Sequence, residues 1–307
     1  MAKAKSYSGK RPSSMSISLQ AMALCGILSL FLFSYLPMFG ITIAFQDYTL
    51  SSGFFSSPFV GLKHFYEFLH DPTFYMAAKN TLILSLLKLA VCFPIPIFLA
   101  LVLNELPFPR FKGAVQTISY FPHFIAYVVV AGLWLNLLDA RGLVNNALTG
   151  LGLARGPTEF WTETAWYWPL VIIIELWKES GWGSLIYVAA ISGINAELYE
   201  AARIDGAGKI KQIIHITLPC ISGTIIVMLI LATGGILRGN LDQSVLFGNT
   251  FNKSASYIIE KYVLDMGFGT MRYSFASAVS LLQGVLSLFL VIGTNWLSRK
   301  ITGKGIM

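Results

Sequence analysis

Glu200-Ala201-Ala202, then Gly206, then Ile216-Thr217-Leu218-Pro219 form a polar stretch between two long apolar runs. Asn195 suits an N-cap, because its side-chain oxygen satisfies an amide that the first turn leaves open; Glu197 follows where the helix dipole favours an acid. Gly206 provides a C-terminal stop, and Pro219 opens the next helix, where a missing N–H costs nothing. The helix between, Ala196 to Asp205, is about 15 Å long. Leu198, Ala201, Ala202 and Asp205 recur at i, i+3, i+4 and i+7 and so line one face. The two alanines let another surface approach closely, and Leu198 offers an apolar anchor. Glu200 and Arg203 lie beside the stripe as polar contacts. A helix this short is marginal alone and needs a surface to pack on.

The surrounding chain explains why such a loop exists. Of its 307 residues 55% are hydrophobic and 12% charged, where soluble domains carry roughly 25% charged residues. Mean hydropathy is +0.66. This composition predicts an all-α integral membrane protein, and no polar block is long enough for a separate soluble domain. Six runs are long and apolar enough to span a hydrocarbon core of about 30 Å: 18–45, 78–103, 114–138, 166–193, 217–238 and 274–298. Pro94, Pro96 and Pro122 predict kinks in the second and third. Glu175, Lys178 and Glu179 interrupt the fourth.

Basic residues set the orientation. With the N-terminus inside, Lys3, Lys5, Lys10, Arg11, Arg110, Lys112, Arg203, Lys209, Lys211, Arg299, Lys300 and Lys304 face the cytoplasm. Their density there is about 2.5-fold that of the outer segments, the bias expected of retained loops. It accounts for the net charge of +7 without nucleic acid. Both termini are then cytoplasmic, with a basic segment at 1–17, a membrane domain at 18–298 carrying the loop 195–216, and a tail at 299–307. The first apolar run is too long for a signal-peptide core and lacks a suitable cleavage site, so it is read as a retained helix. The outer loops near 46–77, 139–165 and 239–273, rich in aromatics, Gly and Pro, suit either an extracytoplasmic partner or a simple folded cap.

The Glu200–Pro219 spacing resembles the EAA loop of binding-protein-dependent ABC importer permeases, the segment that docks on the ATPase. The stretches Asn80-Thr81-Leu82, Leu103-Asn104-Glu105-Leu106, Gln116 to Phe124, Trp177 to Gly183 and Asn295 to Ser298 resemble the LplB-like branch of the maltose and glycerol-phosphate permease group, which imports oligosaccharides. The resemblance implies a type I ABC importer permease fold in a bacterial cytoplasmic membrane. Leu198, Glu200, Ala201, Ala202, Arg203, Asp205, Gly206, Leu218 and Pro219 would then form the ATPase-coupling element. It also implies a second, homologous permease subunit, two ATP-binding subunits and an extracellular sugar-binding protein. ATP and Mg belong to the partner ATPase: no Gly-x-x-x-x-Gly-Lys-Ser/Thr occurs here, and Gly303-Lys304-Gly305 lacks the context of a phosphate loop. No cofactor is expected in this chain.

Charged groups inside a span are costly and face a cavity or a partner. Glu175 and Glu179, flanked by Trp177 and Trp182, join carboxylates to aromatic rings, the combination that holds sugar hydroxyls and C–H faces. The same charges also suit an ion pair that locks helices together, Glu175 with Lys178 or Lys178 with Glu179. Tyr120, Asn240 and Gln283 are further candidate contacts, and so is His123. His64, His70, His123 and His215 make no metal-like pair at helical spacing, and no catalytic constellation stands out. Cys25, Cys92 and Cys220 read as small buried apolar residues. The runners-up are an ABC importer for another substrate class and an ion-coupled secondary transporter, which would have no use for a docking loop.

Overall fold

The computed structural model describes residues 14–303 and 305. The N-terminal basic residues Lys3 to Arg11, and Lys304 in the tail, lie outside them. The fold is helical, with one isolated β-bridge between Gln46 and Phe59 among the described residues. Four helices are long and apolar enough to cross a membrane by themselves: α1 (Leu19–Phe45), α2 (Pro72–Glu105), α7 (Lys209–Gly234) and α9 (Tyr273–Lys300).

The other two expected spans take different forms. The run at 114–138 is two helices, α3 (Pro109–Phe124) and α4 (Tyr127–Leu137), meeting at 99°. Pro122 lies just before this break; its ring cannot continue a regular ladder. The fourth is α5 (Thr164–Ser192), 29 residues long and unbroken despite Pro169. Its three central charges, Glu175, Lys178 and Glu179, set it apart from the four more apolar spans. Between α5 and α7 lies α6 (Ala196–Ile204), and α8 (Leu241–Phe247) follows α7. α2 starts at Pro72, earlier than the hydrophobic run suggests, because Asp71 caps it by accepting from the Thr73 amide at 2.8 Å. It breaks at Cys92–Phe93, just before Pro94.

Four buried clusters form among the described residues, a smaller one at Leu138, Phe160 and Leu170 and three joining several of the long helices. One joins Ala44 of α1, Phe74 and Ala77 of α2, Tyr262, and Phe275 and Ala278 of α9. The next packs Leu84, Val130, Val171, Ile174 and Phe247. The last packs Ala100 of α2, Tyr187 and Ile191 of α5, and Ile221 of α7. In lipid, burial of hydrocarbon offers little gain, so close backbone approach matters more. Gly181 of α5 supplies it: a Cβ there would sit 1.9 Å from the Ser119 carbonyl oxygen of α3. α1 reaches the first cluster only through its C-terminal end at Ala44, and none of its apolar window is buried within the chain.

The cysteines correct the sequence reading. Cys25 and Cys220 are exposed on α1 and α7, and Cys92 is half-buried. Cys25 and Cys220 face away from the chain's own core, where an apolar thiol suits a hydrocarbon surround as well as it suits an interior.

Candidate functional site

α2, α5 and the segment after α7 enclose a cavity of about 330 Å³. Lys88, Cys92 and Pro96 come from α2, Glu175, Glu179 and Trp182 from α5, and Arg238 from the segment beyond α7. A second hollow of about 300 Å³ shares Lys88, Glu175 and Arg238 and adds Asn240 and Asp242. Glu175, Glu179 and Trp182 fall at i, i+4 and i+7, so one face of α5 forms the wall.

The charges on that wall are mostly satisfied from within. Glu175 Oε2 accepts from Tyr127 O–H at 2.8 Å, Gln243 Nε2 at 2.9 Å and Asn240 Nδ2 at 3.3 Å, and pairs with Lys88 Nζ at 3.5 Å. Lys88 also donates to Gln243 Oε1 at 2.8 Å. Glu179 accepts from the Nδ1–H of His123 at 2.7 Å and pairs with Lys178 at 3.4 Å. Of the two pairings open to Lys178, the structure forms the one with Glu179; Glu175 goes to Lys88 instead. The side chain of Lys178 is buried and donates to the carbonyls of His123 at 2.6 Å and Pro122 at 3.4 Å. These carbonyls lie at the break between α3 and α4, so the ammonium supplies the donor that the interrupted helix lacks.

The other candidates divide. Asn240 lines the hollow, caps α8 by accepting from the Gln243 amide, and donates to Glu175. Trp177 points away from the cavity and meets Trp134 edge to face at 6.1 Å. Half a turn or so separates it from Glu175 on α5, which puts it on the opposite side. Gln283 donates to the Leu237 carbonyl and ties α9 to the segment that follows α7. Tyr120 is half-buried with its hydroxyl unpaired and does not border the cavity. Lys88, Tyr127 and Gln243 are lining or supporting groups that sequence reasoning missed. Lys88 had a signal, a charge inside an apolar run; Gln243 had none, because only the return of α8 onto α5 brings it there.

At the other end of α7, α6 has the caps its sequence predicts. Asn195 Oδ1 accepts from the Glu197 amide at 3.1 Å. Gly206 adopts a φ of +74°, with Ala207 N–H donating to Ala202 O at 2.8 Å and Gly206 N–H to Arg203 O at 3.1 Å. This is the paired bonding of a Schellman stop, in which the left-handed residue carries no Cβ penalty only as glycine. The helix ends at Ile204, and Asp205 is its C-cap. Leu198, Glu200, Ala201, Arg203, Asp205 and Gly206 are exposed, whereas Ala202 turns toward the body. Ile204, at 87% exposure, is the large apolar group that the four-residue stripe overlooked. Leu218 and Pro219 lie in the first turn of the regular part of α7, just after a wide π-turn at Ile213–Thr217. Tyr199 bonds the buried Thr217 hydroxyl at 2.9 Å, and Lys209 pairs with Glu105 at 2.9 Å. α6 is thus fastened to α7, and the start of α7 to the end of α2.

Comparison with known proteins places this geometry. The "Polygalacturonan/rhamnogalacturonan transport system permease protein YteP" of Bacillus subtilis (strain 168) is 41% identical over 289 residues, covering 94% of this chain and 89% of the relative. "Protein LplB" of the same organism is 37% identical, covering 92% and 88%. A solved structure described as a "bacterial ABC transporter involved in the import of the acidic polysaccharide alginate" superposes with a TM-score of 0.86 at 39% identity, over 94% of this chain and 97% of that one. A second, in complex with an "alginate pentasaccharide-bound periplasmic protein", gives a TM-score of 0.87 at 38% identity over 95% and 97%. Residues 14–303 match the family described as "Binding-protein-dependent transport system inner membrane component", and the chain belongs to that family.

Proposed function

We propose that this chain is one permease subunit of an ATP-driven oligosaccharide importer and forms half of its translocation pathway. One observation carries the reading: α7 begins beside an exposed, firmly capped docking helix and leads into Arg238 and Asn240 at a cavity lined by carboxylates and Trp182. A single rigid element thus connects a surface fit for a motor to a pocket fit for a sugar. The kinship to carbohydrate permeases supports the same assignment.

The complete assembly in this reading has six spans in each subunit, with α3 and α4 counted as one bent span and α5 as the charged one, and both termini in the cytoplasm. A second, similar permease closes the cavity. Two copies of an ATPase, which hold ATP and Mg, dock at Leu198 to Gly206, and an extracellular binding protein delivers the sugar. ATP binding favours one of two conformations; closure of the ATPase pair pulls α6, and α7 carries that motion to the cavity wall. Glu175, Glu179, Trp182 and Asn240 contact the substrate.

ATPase activity of the co-purified complex in membrane discs tests this, with and without binding protein and sugars. Oligosaccharide should stimulate hydrolysis, and Gly206→Asp should abolish the stimulation. A chain that purifies without ATPase and moves solute on an ion gradient would overturn the assignment.

A further inference from the structure

A groove of about 990 Å³ runs between α1 and α9 and shares no residue with the cavity. Pro37 and Ile41 flank it on α1, Leu281 and Val285 on α9. Both helices are long and apolar enough to span, so hydrocarbon surrounds it. Ala276, Ser280 and Gly284 recur every fourth residue of α9 and leave its backbone open along the floor.

One end of the groove is not apolar. Tyr48 and Tyr273 belong both to it and to a hollow of about 680 Å³. The Tyr48 amide donates to Ser274 Oγ at 2.9 Å, and the two tyrosine rings meet edge to face at 6.1 Å, so the end of α1 is tied to the start of α9. Tyrosines with one apolar and one wet side suit the membrane boundary. The hollow lies near the start of α2, whereas the far end of α2, Glu105, meets Lys209 beside α6. Hollow and docking helix are therefore at opposite ends of the bundle.

The hollow holds both signs of charge. Lys63 pairs with Asp47 at 3.0 Å, and Arg272 pairs with Glu67 while lying over the Phe275 ring. These two acids and two bases leave no net charge. His64, only 5% exposed, is part of the same lining. Its Nε2 lies 3.1 Å from the Gln46 carbonyl, which only accepts, so in the neutral ring the proton sits there and Nδ1 keeps a lone pair. No donor meets that lone pair among the described residues.

We propose that groove and hollow together bind one phospholipid with an amine headgroup, a phosphatidylethanolamine. An acyl chain lies in the groove, the phosphate meets Lys63 and Arg272, and the ammonium meets Asp47 and Glu67. A helix of another subunit would fill the groove but leave the charged hollow unanswered; a lipid matches both. An anionic headgroup would bring an unbalanced charge to a hollow whose cations are already paired. A choline headgroup has no N–H to donate to the carboxylates. The site lies outside the cavity and is independent of the cargo.

The experiment labels the intact complex in detergent with a phosphatidylethanolamine that carries a diazirine in its acyl chain, and maps the labelled peptides after illumination. Label should concentrate on residues 37–43 and 277–288. Unlabelled phosphatidylethanolamine should displace it at about a tenth of the concentration needed of phosphatidylcholine or phosphatidylglycerol, the scale of one charge-assisted hydrogen bond. Gly284→Leu should remove most of the label; nothing lies within 4 Å of the added Cβ, so the side chain enters the groove without a clash. Asp47→Asn with Glu67→Gln, at two half-exposed side chains, leaves both cations unpaired. Phosphatidylglycerol should then compete better than phosphatidylethanolamine.

Label spread evenly over the lipid-facing helices, or displaced equally by all three lipids, overturns the proposal. So does an unchanged order of competition in the double variant, which carries the test if Gly284→Leu does not assemble. Gly284→Leu that keeps its label but loses the second permease on purification would overturn it too, and would give the groove to a helix of that subunit.

Discussion

The imidazole of His123 lies flat on the indole of Trp182, with ring centroids 4.7 Å apart and planes 2° from parallel. The same imidazole bonds Glu179, which pairs with Lys178, which bonds the His123 carbonyl. These contacts close a ring between the end of α3 and the middle of α5, so its members should act as a unit.

Lys178→Met should therefore lower stability by about 3 kcal/mol, the range for removing one partner of a buried pair. It leaves the His123 carbonyl without its Lys178 donor, while Pro122 O keeps the Ile125 N–H at 3.1 Å, and it leaves Glu179 without its lysine partner. Lys178→Met with Glu179→Gln should cost less than the sum of the singles, because the second change removes the stranded charge. Thermal unfolding of the purified complex in detergent reads this directly; simple additivity would mean the pair is not coupled.

Gly181→Ala should be far more harmful than Gly183→Ala two residues on. A methyl at 181 would meet the Ser119 backbone at 1.9 Å, and backbone cannot step aside. At 183 the nearest atom is Cγ of Pro96 at 3.2 Å, a contact that small shifts relieve. Overpacking of the first kind costs about 3 kcal/mol, and the second about 1 kcal/mol or less. Yield and melting temperature of the two variants check the order.

At Gly206 the cost has another origin. Nothing lies within 4 Å of the place a methyl would occupy, so Gly206→Ala meets no clash and only the strain of φ +74°. That strain is about 1 kcal/mol. Gly206→Asn, a residue that tolerates the left-handed region, should retain more sugar-stimulated ATPase activity than Gly206→Ala. Equal loss in both would point to side-chain bulk at the docking surface instead.

Asp71 gives a pH dependence. Burial pushes its carboxyl up, but the Tyr262 O–H at 2.5 Å, the Thr73 amide and the Arg272 cation outweigh burial and hold it below the usual aspartate range. A lowered carboxyl contributes stability that is full above its unfolded value of about 4 and is lost as pH falls through the folded value. Asp71→Asn keeps a capping oxygen and loses the charge. It should be less stable than wild type by about 1 kcal/mol at pH 7, with the gap closing below about pH 4. Melting temperatures of both proteins across that range decide the matter.

Much of the scaffold was legible because its signals are local. Asn195 and Gly206 bound α6 by side-chain chemistry alone, and the apolar runs at 18–45 and 274–298 became α1 and α9. The bend at Pro122 could be foreseen; its 99° size could not, since neighbours set that angle. The cavity was legible only in part. Glu175, Glu179 and Trp182 declared themselves as charges and an aromatic ring on one helical face. Trp177 misled because adjacency in sequence is not adjacency on a helix. Gln243 and Tyr127 reach Glu175 from 68 and 48 residues away, and no periodicity encodes such a meeting.

The buried ammonium at the elbow between α3 and α4 has a mechanical meaning. Two carbonyls and one cation that must separate far from bulk water do not slide apart by degrees; each partial opening leaves dipoles facing nothing. The elbow therefore has few resting angles. A transport cycle that bends this segment would proceed by a discrete snap, with Lys178 passing from one set of oxygens to another.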